Sequence, residues 1–201
     1  MARESGVQTR NAARLLTSVL LAGVWLCLAE DPPGPKILRP MDRSSLAPGP
    51  LVLIARTAGK AEFRLDGKAV PGAQPAPNVL FAAVTVASGP HEVVLVTAAG
   101  EEKIGFFAGP KPPEGFVPFR IHPPGAGCET CHAVKQGAWA FKQAGASASC
   151  FGCHDPKPFA EIHSHNAEVL QECQVCHSPH GGTARLFLKM SKDLACKQCH
   201  G

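Results

Sequence analysis

The sequence predicts a two-part fold. A small antiparallel β-sandwich occupies residues 36–108, and a mostly irregular domain with short α-helices follows over 120–201. Three observations predict this. Residues 36–108 hold short apolar or alternating runs separated by turn pairs, with no helical period and no cysteine. Residues 120–201 hold the unit Cys-x-x-Cys-His four times. The same stretch has few large apolar side chains, chiefly Trp139, Phe141, Phe151, Phe159 and a handful of leucines. Its interior must therefore come from something other than side chains.

At 201 residues the chain has room for one domain or two small ones, and 19 prolines and 20 glycines favour short elements joined by turns. The formal net charge is +4. Three of the 20 basic and one of the 16 acidic residues fall in 1–29, which leaves 17 against 15 beyond it. So small an excess is no evidence for a nucleic-acid or membrane-surface role.

Residues 1–29 read as a secretory signal peptide. Arg3, Arg10 and Arg14 mark a basic start, Leu15–Ala29 is apolar apart from Thr17 and Ser18, and small residues offer cleavage after Ala29. The apolar run is shorter than the ~20 residues a spanning helix needs. An uncleaved anchor is the alternative. Lipidation at Cys27 is disfavoured by Leu26 and the bulky Trp25 before it.

In the sandwich, Leu51–Ala55 is a buried-type run. Ala61–Leu65 alternates and ends at Asp66-Gly67, a hairpin pair, after which Lys68–Val70 returns. Val79–Val86, His91–Thr97 and Lys103–Phe107 supply further strands. His91 is expected as the solvated start of its strand rather than a ligand. Asp66-Gly67 and Gly89-Pro90-His91 resemble the turns of small immunoglobulin-like or carbohydrate-binding-like modules of exported bacterial proteins. Two roles stay open for the module: docking to a partner or surface polymer, or holding the second half as a spacer. Residues 109–119 are expected to be an extended, Pro-rich linker.

The four units are Cys128–Cys131–His132, Cys150–Cys153–His154, Cys173–Cys176–His177 and Cys196–Cys199–His200. A shuffled chain of this composition would hold ~0.02 copies. Two thiols at i and i+3 can each form a thioether to a porphyrin vinyl group, and the adjacent histidine reaches the iron. This is the attachment pattern of haem c. Four haems in about 80 residues imply a haem-packed domain in which the porphyrins are the core. Attachment outside the cytoplasm agrees with the leader, which places the chain in the periplasm or outer cell envelope. Zinc knuckles or disulfides would not require a histidine after every second cysteine. Short helices are expected at Gln136–Ala144, Ala160–Cys173 and Thr183–Cys199.

With His132, His154, His177 and His200 as proximal ligands, the half offers His122, His163, His165 and His180 for the distal positions. Four irons meet four spare histidines. His180, three residues after His177, cannot comfortably reach the far face of the same haem and is expected to serve a neighbour. His163 and His165 both ligate only if the backbone between them is extended. Met190 is the competing ligand and would raise the potential of its iron.

These residues resemble the multihaem c-type cytochromes with doubled motifs. The resemblance runs from His165 through Cys173–His177, Ser178-Pro179-His180-Gly181-Gly182 and Leu186–Leu188 to Cys196–His200. In the first pair, Ala133-Val134-Lys135 stands where the second has Ser-Pro-His. The resemblance implies haem c, electron transfer and an envelope location, with other cytochromes, quinol-oxidising complexes or terminal reductases as redox partners. Two functions follow: an electron carrier that is not an enzyme, or a nitrite- or hydroxylamine-type reductase, or its electron-delivering subunit, with one open haem. The match between spare histidines and irons favours the carrier.

Overall fold

The Asp66-Gly67 pair folds the chain back as its chemistry requires. Both residues sit at positive φ (51° and 78°), and Leu65 faces Lys68 across the two-residue turn. The structure, a computed structural model, describes residues 34–125, 127–155, 157 and 172–200. The described residues belong to one compact unit. The signal-peptide reading of 1–29 lies outside the described residues.

Strands β1 (Lys36–Arg39), β3 (Gly49–Arg56), β7 (Val79–Val86) and β6 (Ala73–Ala76) form one sheet in the order β1-β3-β7-β6. Strands β2 (Ser44–Leu46), β4 (Ala61–Leu65), β5 (Lys68–Val70), β8 (Gly89–Thr97), β9 (Gly100–Ala108) and β10 (Val117–Pro118) form the other, in the order β10-β2-β9-β8-β4-β5. Alternation decides which residues point inward. Leu51, Leu53 and Ala55 of β3 meet Val93 and Leu95 of β8 and Ile104, Phe106 and Ala108 of β9 in one buried cluster shared by both sheets. Each fully buried Leu or Phe contributes roughly 1.5–3 kcal/mol of transfer free energy.

Two pairings depart from the expected antiparallel order. Strand β2 lies parallel to β9, and β10 parallel to β2. The chain leaves the first sheet after β1 and crosses to the second within four residues, so β2 enters alongside β9 in the same direction. Within residues 36–108, three strands escaped the sequence reading. Strands β1 and β2 are too short to show alternation, and β6 carries Pro75.

His91 is not solvated. Its side chain is 10% exposed, its ring stacks on Phe106 at 5.1 Å, and its nitrogens meet Asp66 Oδ2 at 2.8 Å and the Ala87 carbonyl at 2.9 Å. The Asp66 carboxylate brings it inward by accepting also from the Glu92 N–H.

Residues 109–119 run along β2. The amides of Gly109, Val117 and Phe119 donate to the carbonyls of Leu46, Arg43 and Ser45, and Phe119 is buried. The chain then enters β11 (Arg120–Ile121), which pairs antiparallel with β14 (Gly181–Gly182).

Between these strands lie a 3₁₀ turn at Cys128–Thr130, the hairpin β12 (His132–Lys135) and β13 (Ala138–Phe141), and short helices at Ala146–Cys150 and Cys173–Cys176. A 3₁₀ turn at Arg185–Phe187 and a helix at Lys192–His200 follow. The helix expected at Gln136–Ala144 is thus a hairpin. Gln136 and Gly137 take positive φ (50° and 76°), and Trp139 and Phe141 share one face with a period of two. The helix expected from Thr183 begins only at Lys192, because Leu186 and Phe187 adopt left-handed φ near 57°. The helix expected at Ala160–Cys173 lies almost wholly outside the described residues. Every residue of the hydrophobic cluster falls between Ile37 and Ala108, whereas Val134, Val175, Leu186 and Leu194 are 39–64% exposed.

Candidate functional site

One turn of backbone gathers each motif. The amide of Cys131 donates to the Cys128 carbonyl, those of Cys153 and His154 to Cys150, and that of His177 to Cys173. The last motif lies on the helix Lys192–His200. A helical turn puts residues i, i+3 and i+4 on one side, whereas in the first motif a 3₁₀ turn gathers the cysteines and His132 already begins β12. None of the eight motif cysteines is in a disulfide. Motifs two and three adjoin. Ser147 Oγ lies 3.3 Å from Cys173 Sγ, and the Cys150 thiol is pushed up to about 11 by burial and by neighbouring Cys173.

The β11–β14 ladder carries two of the spare histidines at its end. Ile121 pairs with Gly181, so His122 and His180 follow and precede the pair on neighbouring strands. The close approach depends on Gly181. Its φ is +116°, and a Cβ there would fall 2.5 Å from the Arg120 carbonyl oxygen and 2.8 Å from the Phe119 ring.

From that ladder the two rings face proximal histidines of different motifs. His122 lies parallel to His154, with centroids 6.0 Å apart and planes at 22°. His180 lies parallel to His132, also at 6.0 Å and at 23°. Rings so spaced do not touch. About 2 Å per metal–imidazole bond and about 1 Å from nitrogen to ring centre on each side total about 6 Å, the separation of two imidazoles across one iron.

Two rings of the region have Nδ1 against a carbonyl. His122 Nδ1 lies 3.2 Å from the Pro179 carbonyl, and His177 Nδ1 lies 2.8 Å from that of Leu186. A carbonyl at Nδ1 fixes that nitrogen as the N–H and leaves Nε2 as a lone-pair donor. His132 Nδ1 is buried with no hydrogen-bond partner. Burial, then the charges of His132, Arg39 and His122, pushes His180 down to about 4. Burial likewise holds His132 below its ordinary value, opposed by the Ala140 backbone. A lowered pKa favours the neutral imidazole, the form that binds a metal. The donor set fits a haem at each of these two positions.

The sandwich reaches into this site at two points that sequence reasoning missed. Arg39, 9% exposed, donates from Nε and Nη2 to the His180 carbonyl at 2.9 and 2.8 Å, and from Nη2 to the His122 carbonyl at 3.0 Å. No periodic signal marked Arg39, because β1 is too short to show alternation and shifts register between Ile37 and Arg39. Asn78 clasps the β12–β13 hairpin, its Oδ1 accepting from the Trp139 N–H at 2.8 Å and its Nδ2 donating to the Trp139 carbonyl at 2.9 Å. Trp139 and Phe141 then flank His132 at 5.6 and 5.0 Å. His154 and His200 both keep contacts within the described structure, while Met190 is half-buried ahead of the last helix. His163 and His165 lie outside the described residues.

Residues 165–201 match the family described as Doubled CXXCH motif, under a fifth of the chain and covering the third and fourth units. No curated protein matches the chain. Among solved structures it is similar to an FMN-binding beta-glucuronidase from Facaelibacterium prausnitzii L2-6, at 17% identity and TM-score 0.35, over 43% of this chain and 13% of that one. It is also similar to titin M4 in a trigonal form, at 13% identity and TM-score 0.25, over 38% of this chain and 95% of that one. The chain thus spans a small part of the glucuronidase, and likenesses of this size carry no argument. The CXXCH units indicate covalently bound c-type haem, and the doubled motif supports a multihaem c-type cytochrome that transfers electrons.

Proposed function

We propose that the chain is an exported tetrahaem cytochrome, an electron carrier rather than an enzyme, with every iron held between two histidines. The observation that carries this reading is the pair of facing imidazoles, His132 with His180 and His154 with His122, each at 6.0 Å. On that assignment His163 and His165 remain for the irons of His177 and His200. The bound group supplies one-electron iron chemistry. The residues do the rest. Paired thiols would fix each position, imidazoles would hold the iron, and the Pro179 and Leu186 carbonyls hold the orientation of His122 and His177. An iron held by two histidines would leave no position open to a substrate. The exposed Val134, Val175, Leu186 and Leu194 supply apolar surface for porphyrin faces.

The sandwich is read as immunoglobulin-like. Two features support this: the switch of the first strand between sheets, and the orders β1-β3-β7-β6 and β9-β8-β4. The apolar run before Ala29 supports export to the periplasm or outer envelope, where donor and acceptor are other redox proteins.

A pyridine haemochrome count with a denatured mass tests the stoichiometry: four haems are expected, and fewer would mean an unused motif. A low-temperature magnetic spectrum of the oxidised protein tests the ligands. Low-spin bis-histidine signals alone are expected. High-spin, five-coordinate iron in the intact protein would overturn the carrier in favour of a reductase or its electron-delivering subunit.

A further inference from the structure

We propose that Arg39, on the first strand of the sandwich, is a positioning residue that sets the distal histidines of two different haems at once. The inference rests on the ligand assignment of His122 and His180 and goes beyond it. One planar guanidinium reaches both backbone carbonyls: Nε and Nη2 converge on His180, and Nη2 also bonds His122. These two residues end neighbouring strands, and their rings face His132 and His154 in turn. Moving either carbonyl swings its ring. A cation that fixes both carbonyls therefore fixes the reach of both rings toward their irons.

The contact is built, not incidental. Arg39 is buried, and it crosses 83 residues of sequence to His122 and 141 to His180. A fork of donors in one plane is what two adjacent carbonyls need. Lysine, a single rotatable ammonium, cannot reproduce it. The buried positive charge has a second effect. It favours the iron state with the extra electron, so it raises the potential of the two haems it adjoins. The sandwich is then part of the redox site rather than a spacer beside it.

The test compares full-length, haem-loaded wild type with Arg39→Gln and Arg39→Lys. Haem content should be unchanged in all three, since thioether attachment needs only the motifs. Arg39→Gln should show a high-spin ferric signal from up to two haems, quenched by added imidazole, and lowered potentials for the haems that remain low-spin. Arg39→Lys should restore the potentials more fully than the spin state, because it keeps the charge and loses the fork. Full haem content with an all-low-spin spectrum and unchanged potentials in Arg39→Gln overturns the role of Arg39 and leaves the histidine assignment standing. High-spin iron already present in the wild type overturns the assignment instead. If Arg39→Gln yields no holoprotein, Arg39→Lys decides by the same spectrum. If neither yields holoprotein, the residue serves folding alone and the proposal fails.

Discussion

Replacing Gly181 by alanine strikes the narrowest point of the ligand scaffold. The backbone there has φ +116°, and the new methyl would sit 2.5 Å from the Arg120 carbonyl oxygen and 2.8 Å from Phe119. Forcing an L-residue into a left-handed conformation costs roughly 1–2 kcal/mol. Relieving a clash against packed backbone costs about 1–3 kcal/mol more. Together these give about 2–5 kcal/mol, more than a two-residue ladder can resist, so β11 and β14 should part. Gly100→Ala is the control. It has φ +132° and nothing within 4 Å, so it carries the conformational cost without the clash. Urea unfolding of the holoprotein gives the stability difference, and a low-temperature magnetic spectrum gives the state of the irons. Gly181→Ala should lose at least about 1 kcal/mol more than Gly100→Ala and gain high-spin iron. Equal losses with an unchanged low-spin spectrum would refute the reasoning.

Asn78→Ala removes both amide bonds to the Trp139 backbone and should cost roughly 1–3 kcal/mol; a shift in unfolding midpoint below about 0.5 kcal/mol would show the clasp to be idle. The His91–Asp66 pair makes sandwich stability depend on pH. Burial alone would lower His91, but the Ala87 carbonyl and Asp66 hold its pKa above the ordinary value. Partial burial alone would raise Asp66, but the Glu92 N–H, His91 and Lys68 hold it below. The histidine contribution is complete below pH ~6.5 and lost as pH rises through the raised value; the carboxylate contribution is present above ~3.9 and lost as pH falls through the lowered one. The stability gap between wild type and Asp66→Asn should therefore be widest between about pH 4 and 6.5, and a gap flat from pH 4 to 9 contradicts the pairing. Chain produced without haem attachment should keep the sandwich and lose the second half, so limited proteolysis should leave a fragment ending near Phe119; equal protection of residues 128–200 would count against a haem-dependent half.

What could be read from the sequence was what short-range chemistry fixes. The motifs were legible because thioether attachment demands its own spacing. The strands from Leu51 to Phe107 other than β6 were legible because alternation against a shared core leaves a period of two. The β12–β13 hairpin was not, because Gln136, Ala138, Ala140 and Lys142 favour helices, and the Gln136-Gly137 turn and the Trp139–Phe141 face overrode them. The partners of the histidines were out of reach for another reason. His122 and His154 are 32 residues apart and meet through a ladder that involves Gly181, far from both in sequence. Arg39 depends on a longer-range contact still, and the register shift between Ile37 and Arg39 removes any periodic hint of it.

The β11–β14 ladder also bears on the order in which the protein matures. Under the export proposed above, a chain crossing the membrane from its N-terminus would present Cys128–His132 to the attachment machinery before His180, 48 residues further along, has emerged. Under that export and the ligand assignment proposed with it, the first motif would take its haem while His180 was still on the other side of the membrane. His180 would come into reach only when β14 pairs with β11. Closure of the first redox site is then a late event that reports arrival of the C-terminal half, and a chain cut short before Gly181 would keep a reactive, open iron at its first motif.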